Sequence, residues 1–465
     1  MKTVLRLSLL FLSFAFVMSA CAAQKVETVP EFSVDMGEVT DFGGRNFTVM
    51  QEKIGADEVI YFYEPDSLYY DLFIAHVNKI EKENNLKLTF SKSMGSESTF
   101  SNAVFTSYVS GINIGDFIIM RGSNLNMVTA RSGAFYPLNY FPDIIDLHNS
   151  EKYGPINILE CCMANGNVYV VIPAYWPLRT NDGNLGVFLC INENYITRYG
   201  LDDPRDMYEQ NEWKLSKFDE IIPRYHIDDG ANDIKALGMN TRYLARGFIG
   251  AYQIGNVYEK DGQYYSAEHN PDLLEALEWG VNFVNSYEDD YILLDGWDYS
   301  DHLANGVSTM IFTESSYLLN VASKVDNFGI VPFPAVDKYD CKDVKMGFST
   351  YPTFSMYAGA DDTDACAKLI DILFEQIDGA DRESMVDFLF RTMFFDERDA
   401  KIYTEAFKNG SYDYFGVGGN LQQKIETVYT SKTPQEVIAS VTGTLDKIFE
   451  EQMLPNYLAM QEYKQ

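Results

Sequence analysis

Short apolar runs alternate with helical repeats along the first part of this chain. The runs EVIYFY at 58–63, LKLTF at 86–90 and DFIIM at 116–120 predict three strands, the first buried on both faces. Two segments between them carry apolar residues at helical spacing: Tyr69, Phe73, Val77 and Ile80, then Phe100, Val104 and Tyr108. A strand, helix, strand, helix, strand order favours a parallel sheet with right-handed crossovers.

The same alternation resumes in the second half of the chain. Asn270 and Pro271 are typical of an N-cap followed by proline at the first helical position. VSTMIF at 307–312 and FGIVPF at 328–333 then predict strands, and the capping box that begins at Thr433 predicts a late helix. The predicted fold class is therefore α/β in two lobes, each with a mainly parallel sheet flanked by helices.

The N-terminal segment predicts export. Lys2 and Arg6 precede an apolar core of roughly 12 residues, which is too short to span a bilayer. The stretch Met18-Ser19-Ala20-Cys21 is similar to the bacterial lipoprotein box, in which the cysteine carries the lipid. We therefore expect a signal peptide at 1–20, a flexible tether at 21–40, and an extracytoplasmic protein anchored to the cell membrane through lipid on Cys21. The alternative is a plain signal peptide with a chance cysteine.

The charge of the chain argues against nucleic acid as a partner. The formal net charge is -32, and removal of residues 1–20 takes away two basic residues and no acidic one, giving -34. Such a chain repels phosphate backbones. At 46% apolar and 14% aromatic residues it is nevertheless far from the composition of a disordered acidic tail.

Cysteines and histidines give no sign of a metal site or a disulfide framework. Beyond Cys21 there are five cysteines, with no C-x-x-C, and the five histidines stand apart from one another. We interpret these cysteines as small buried apolar residues. No recognisable catalytic or dinucleotide motif is present, so we expect no cofactor and no enzymatic activity.

Residues 167–221 resemble the extracellular solute-binding proteins of bacterial ABC importers, in the maltose-binding-protein-like family 1 that mostly carries saccharides. The matching segments are Gly166 to Pro173, Asn192-Glu193, Gly200 to Pro204 and Glu212 to Leu215. DFGGRNFTV, ANGVSTMIF, NFGIVPFPAV and KTPQEVIASV resemble other parts of the family in the same order. The chain departs from the pattern at Glu193, where lysine is common, at Pro223, which we expect to cut short its helix, and after Phe312, where tryptophan is common.

The resemblance implies a periplasmic-binding-protein-like fold in which the chain crosses between the lobes three times. We expect crossings near 172–182, 331–338 and 400–412. Lobe 1 would then comprise 41–178 and 336–400, and lobe 2 would comprise 179–335 and 401–460. A saccharide would bind in the cleft of a monomer, which would deliver it to ABC permease subunits without chemistry of its own.

A saccharide site needs aromatic platforms with charged and amide groups at the rim. Four sets of residues meet this need: Tyr175, Trp176, Arg179 and Asn181 at the first crossing; Trp297 and Tyr299 in a loop before a strand; Tyr63, Glu64 and Asp66 after the first strand; Glu314 and Tyr317 after a later strand. Trp176 could instead be wedged in the core between two prolines. Trp213 and Trp279 lie in helical patterns and are predicted to be core.

Two alternatives to saccharide capture stay open. One is a surface enzyme that acts on polysaccharide, although 68 acidic residues make any candidate carboxylate pair uninformative. The other keeps the fold and changes the cargo to a peptide or another small polar solute.

Overall fold

The computed structural model describes most of the chain between residues 39 and 464. The described residues are 39–52, 68–91, 95, 97–122, 129–172, 186–348, 351–375, 377, 386, 390–412 and 421–464. None of the helices in this part of the chain is long and apolar enough to cross a membrane. All five cysteines beyond Cys21 are free and buried, as expected for small core residues.

The strands of the described residues are numbered in chain order. They are β1 Arg45–Gln51, β2 Leu86–Phe90, β3 Phe117–Gly122, β4 Met163–Ala164, β5 Asn167–Val168, β6 Val170–Val171, β7 Val187–Asn192, β8 Ile227–Asp228, β9 Asp233–Met239, β10 Val257–Lys260, β11 Gln263–Ser266, β12 Tyr291–Leu293, β13 Ser308–Glu314, β14 Phe328–Pro332, β15 Met346–Phe348, β16 Tyr351–Met356 and β17 Gly410–Tyr412.

The α-helices of the described residues are numbered in the same way. They are α1 Leu68–Glu83, α2 Glu97–Val109, α3 Ser150–Tyr153, α4 Glu193–Tyr199, α5 Pro204–Glu209, α6 Leu215–Tyr225, α7 Thr241–Ala251, α8 Pro271–Ser286, α9 Ser300–Ala304, α10 Leu318–Ala322, α11 Thr363–Leu373, α12 Glu397–Lys408, α13 Leu421–Glu426, α14 Pro434–Ile448 and α15 Leu454–Tyr463. A single π-helical stretch, Phe449–Met453, joins α14 to α15.

Two sheets organise these elements. The first has the strand order β2-β1-β3-β16-β6, and the second has the order β12-β9-β13-β7-β14, with β8 paired to β9. In each set of five strands, four run in one direction and one runs against them: β16 in the first sheet and β7 in the second. The sheets are thus mainly parallel, as the sequence predicted, and share the same pattern of strand directions.

The structure has a strand before helix α1 that the sequence analysis did not predict. β1 covers Arg45–Gln51, whereas the expected strand at 58–63 lies outside the described residues. Phe47, Val49 and Met50 of β1 are buried in the core. The strands predicted at 86–90 and 116–120 are confirmed with shifts of a few residues. The two predicted helices, one before each of these strands, are confirmed as well.

Helix α6 continues through Pro223, although we expected this proline to shorten it. Proline lacks the N–H that would bond to the carbonyl four residues earlier, at Asp219. The Tyr287 hydroxyl donates a hydrogen bond to that Asp219 oxygen at 3.2 Å. A neighbouring helix therefore satisfies the carbonyl that the proline leaves unpaired, and α6 runs on to Tyr225.

We propose that the second crossing lies later in the chain than expected. After β14, Ala335 N donates to Trp213 O at 3.2 Å and Val336 N donates to Ala251 O at 3.4 Å, so this segment remains against helices of the second sheet. β15 still contacts α7, since Arg246 donates to Gly347 O, but it pairs in parallel with β17, and β16 then joins the first sheet. We therefore propose a crossing at 345–348 in place of the one expected near 331–338.

Two C-terminal helices also shift the expected lobe boundaries. Helix α12 contacts β14 of the second sheet through Asp399, whereas residues up to 400 were expected in lobe 1. Helix α15 contacts the first-lobe segment near β4, because Asn456 donates to Met163 O at 3.1 Å and accepts from Gly166 N at 3.0 Å. We propose that α12 belongs to lobe 2 and that α15 belongs to lobe 1.

A buried guanidinium holds α12 in place. Arg205, whose side chain is 3% exposed, donates from Nη2 to Asp203 Oδ2 at 2.8 Å and from Nη1 to Asp399 Oδ2 at 2.9 Å, and it also pairs with Glu193. Asp399 Oδ1 accepts from Ile330 N at 2.7 Å. A Cβ at Gly329 would lie 2.6 Å from the guanidinium, so the approach of Arg205 requires glycine there.

The cluster carries more negative than positive charge around one arginine. Burial raises the pKa of Asp399 to about 7, and the neighbouring Arg205 offsets that effect only in part. Three carboxylates contact Arg205, and Asp203 is shared with a second cation, since its Oδ2 also lies 3.0 Å from Arg398 Nη2. Glu193, the departure from the common lysine, therefore has a structural partner in this chain.

We expect Asp399→Ala to lower the free energy of unfolding by about 3–5 kcal/mol, because it leaves a buried guanidinium and a backbone N–H with one partner fewer. Equilibrium urea unfolding followed by circular dichroism measures this. Glu397→Ala is the matched control on the same helix, since its side chain is 55% exposed and pairs only with Lys401 among the contacts described. Equal midpoints for the two variants would contradict the assigned role of Asp399.

Candidate functional site

The carboxyl ends of β9, β12 and β13 lie at one edge of the second sheet, because these three strands are parallel. The residues that follow them are 240–242, 294–299 and 315–317. Ligands of open α/β sheets bind beside this edge. We call these segments, together with Glu314 and helix α7, the second-sheet edge.

Trp297 is the exposed aromatic residue of the second-sheet edge, with 45% of its surface accessible. The Arg242 guanidinium carbon lies 3.8 Å from the centre of its ring, a cation–π contact. Arg242 Nε in turn donates to Glu426 Oε1 at 3.0 Å, and the Tyr243 hydroxyl donates to Trp297 O at 2.9 Å. The indole is therefore held by its neighbours while nearly half of the residue stays open to solvent.

Tyr299 is fully buried, in contrast to its predicted role as a ligand contact. Its hydroxyl donates to Gly296 O at 2.7 Å, and its ring packs 5.8 Å from that of Tyr243. Burial raises the pKa of Tyr299 to about 12, so the group stays neutral. Tyr299 supports the loop that carries Trp297 from beneath and presents no surface to a ligand.

Glu314 ends β13 and forms a buried ion pair with Arg246 of α7. Both side chains are 7% exposed. Arg246 also donates from Nη2 to Gly347 O at 3.1 Å. The pair thus connects the second-sheet edge to β15, the strand in the crossing that we propose at 345–348.

Tyr317 follows Glu314 by one turn and is partly exposed. Burial raises its pKa, and the negative charges of Glu314 and Asp298 raise it further. Its hydroxyl is therefore a neutral donor and acceptor beside two carboxylates. Glu314 and Tyr317, predicted as a pair, do lie together at this edge.

A small cavity lies between α7 and the crossing strand β15. Its volume is about 40 Å³, enough for a few water molecules and too little for a sugar ring. The packing around it is close: a Cβ at Gly247 would lie 2.1 Å from the Phe333 ring, and one at Gly250 would lie 2.5 Å from Lys345 O. This region is therefore a tight helix-to-crossing contact that leaves no room for a saccharide.

The carboxyl edge of the first sheet also carries polar groups that the sequence analysis missed. Glu52 directly follows β1, is 4% exposed, and its Oε2 accepts from Arg121 N at 2.9 Å. Gln51 donates from Nε2 to Ser91 O at 2.7 Å. The alternation in RNFTVMQE was the available signal, and the strand assigned at 58–63 obscured it.

Several predicted site residues lie outside the described residues, so their roles stay predictions. They are Tyr63, Glu64, Asp66, Tyr175, Trp176, Arg179 and Asn181, together with the lipidation residue Cys21. Trp213, predicted as core, is fully buried and donates from Nε1 to Pro332 O at 2.9 Å. Trp279 is partly buried, with its ring 4.8 Å from that of Phe248.

We expect Glu314→Ala to lower the free energy of unfolding by about 2–4 kcal/mol, because it leaves the buried Arg246 charge without its carboxylate. Glu426→Ala is the matched control: it removes the carboxylate from Arg242 on the same helix, in a pair whose side chains are about one-fifth exposed. Its cost should stay below about 1 kcal/mol. Urea unfolding of both variants gives the comparison, and a smaller loss for Glu314→Ala would be the opposite of this expectation.

Comparison with known proteins shows no matching family model and no matching curated protein. Solved structures do match. The GacH receptor of Streptomyces glaucescens, solved unliganded and with acarbose, has 14% identity and a TM-score of 0.56 over 88% of this chain and 99% of its own. A cyclo/maltodextrin-binding protein complexed with maltotetraose has 10% identity and a TM-score of 0.59 over 87% and 97%.

A third similar structure is UgpB from Mycobacterium tuberculosis in complex with glycerophosphocholine. It has 14% identity and a TM-score of 0.55, over 86% of this chain and all of its own. At these identities the likeness concerns the fold. The chain therefore has the two-lobe periplasmic-binding-protein-like fold that its sequence resemblance implied.

Proposed function

We propose that this protein is an extracytoplasmic solute-binding protein that captures a saccharide between its lobes and delivers it to an ABC importer. The observation that carries the proposal is the exposed indole of Trp297 at the second-sheet edge. The Arg242 guanidinium packs against this ring. A sugar ring offers apolar C–H faces to such an indole and hydroxyls to the surrounding polar groups. The fold supports the proposal, since proteins of this fold have been solved with acarbose and with maltotetraose.

The charge distribution at this edge favours a neutral polar solute. Arg242 is paired with Glu426, and Arg246 is paired with Glu314. An anionic ligand would have to compete with these carboxylates, whereas hydroxyls can bond to carboxylate oxygens and the Tyr317 hydroxyl without displacing any pair. A saccharide satisfies this requirement. The alternative cargo is a peptide or another small polar solute, and UgpB was solved with one such solute, glycerophosphocholine.

The same edge supplies a route from ligand contact to lobe closure. Glu314 follows directly from the central strand β13, and its partner Arg246 bonds to Gly347 in β15. β15 pairs with β17, so two chain segments run side by side through this region. A solute that bridges the lobes would bias a hinge motion about such segments. The aromatic and amide groups predicted at 175–181 would complete the site at the first crossing.

Trp297→Ala should weaken solute binding about 5-fold to 100-fold, because truncating an aromatic anchor costs roughly 1–3 kcal/mol. Native mass spectrometry of the purified protein first identifies the bound solute, and maltotetraose serves as the probe if none is retained. Isothermal titration calorimetry then compares the variants. Phe105→Ala on α2 is the matched control, with 42% exposure at the wild-type side chain.

Equal affinity of Trp297→Ala and wild type, with circular dichroism unchanged, would remove Trp297 from the site. Recovery of the solute in cleaved form would favour the surface-enzyme alternative instead. A peptide or other polar solute in the mass spectrum would keep the fold-based role and replace the saccharide.

Anchoring through Cys21 is a separate part of the proposal. We expect Cys21→Ala to shift the protein from the detergent phase to the aqueous phase in a bacterial host, because the acyl chains that hold it at the membrane are lost. Fatty-acid labelling of wild type and variant measures the same event directly. Solute affinity should stay unchanged. Equal partitioning and equal labelling of the two proteins would refute lipidation at this residue.

A further inference from the structure

One imidazole and two carboxylates converge on the surface of the second lobe, away from the second-sheet edge described above. They belong to Glu268 and His269, in the 3₁₀ turn Ala267–His269 before α8, and to Asp446 in the last turn of α14. His269 Nε2 lies 3.1 Å from Asp446 Oδ1 and 3.9 Å from Glu268 Oε1. All three donor atoms lie within 4.8 Å of one another.

The Glu268 carboxylate is the unusual member of this group. Its side chain is 1% exposed, and Oε2 accepts a hydrogen bond from the Ser266 hydroxyl. Oε1 is buried and receives no hydrogen bond from any described residue. A buried acceptor without a hydrogen bond is destabilising, and more so when it is charged. A cation beside Oε1 would remove that destabilisation.

We propose that Glu268, His269 and Asp446 bind a divalent metal ion of the zinc class. Imidazole nitrogen and carboxylate oxygen are both zinc ligands, at 2.0–2.2 Å from the ion. Three such ligands around a tetrahedral ion are about 3.4 Å apart. The two separations from His269 are 3.1 and 3.9 Å, on either side of that value, and all three atoms lie within 4.8 Å of one another. Movement of the His269 and Asp446 side chains, each about 45% exposed, would bring the three atoms to coordination distance. The fourth position is left to water.

A second histidine shows why this arrangement is specific. His226 also has two aspartates as neighbours, but its Nδ1 lies 2.8 Å from Asp290 and its Nε2 lies 2.7 Å from Asp233. These carboxylates occupy opposite sides of the ring and cannot share an ion. At His269, in contrast, a single nitrogen faces both carboxylates. The ring of Tyr265 lies 6.1 Å from that of His269 and covers one side of it.

The metal would join two parts of the second lobe that are distant in sequence. Residues 268 and 269 precede α8, whereas Asp446 lies at the end of α14, 177 residues after His269. A metal ion at this junction would fasten α14 to the turn in front of α8. The inferred site therefore stabilises the lobe and takes no part in solute capture. The test of metal binding is thus independent of the proposed function.

Co²⁺ is the direct probe, because its visible absorption reports tetrahedral coordination. The chain is prepared without a polyhistidine tag, stripped with EDTA and titrated with Co²⁺, and then Zn²⁺ is used to displace the Co²⁺. We expect one ion per chain and an increase in melting temperature with Zn²⁺ that EDTA reverses. His269→Ala and Asp446→Asn should each weaken Co²⁺ binding about 10-fold to 100-fold. Zn²⁺ should no longer raise the melting temperature of either variant.

Glu268→Gln removes the charge of the buried ligand and should also weaken Co²⁺ binding. If this buried substitution disturbs folding, Asp446→Asn still tests the site, because the Asp446 side chain is 46% exposed. His148→Ala, at an exposed histidine elsewhere, is the matched control and should bind Co²⁺ as wild type does. Absence of stoichiometric Co²⁺ binding to the wild type would overturn the proposal. Equal binding by wild type, His269→Ala and Asp446→Asn would overturn it as well.

Discussion

The buried Arg205 guanidinium is the interaction on which the arrangement of the second lobe depends. It reaches Asp203 in front of α5, Glu193 at the start of α4 and Asp399 in α12, close to Gly329 of β14. A buried charge of this kind is stable only while its partners stay in place, so each segment fixes the positions of the others. Apolar packing alone would bury these helices without specifying their register on β14.

Local sequence signals predicted the elements whose ends are determined by their own residues. Asn270 caps α8 through a bond to Asp272 N, and Thr433 and Glu436 form the capping box of α14, both as expected. The signals failed where a distant residue decides the outcome. Pro223 does not end α6 because Tyr287, more than 60 residues away, donates to the carbonyl that the proline leaves unpaired. The apolar segment after β14, expected to be a crossing, bonds to Trp213 and Ala251, and for that reason we propose a later crossing.

The candidate site was harder to predict than the fold, because its polar groups depend on tertiary contacts. Glu314 was identified from its place after a strand, whereas its partner Arg246 lies within helix α7, where no sequence motif marks it. Tyr299 was chosen as an aromatic residue in a loop, and only the folded chain shows that it is fully buried. Sequence patterns indicate which edge of a sheet is a candidate binding edge. Tertiary packing determines which side chains at that edge are exposed to solvent.

The position of β16 has a consequence for how the chain folds during synthesis. This strand, Tyr351–Met356, lies between β3 and β6 in the first sheet, so that sheet stays in two pieces until residue 356 of 465 is available. The β3 and β16 pairing joins residues more than 200 positions apart, and such non-local pairing slows folding. A nascent chain of this design cannot complete its first lobe early. That delay would suit the extracytoplasmic role that we propose, in which the chain crosses a membrane before it acquires its structure.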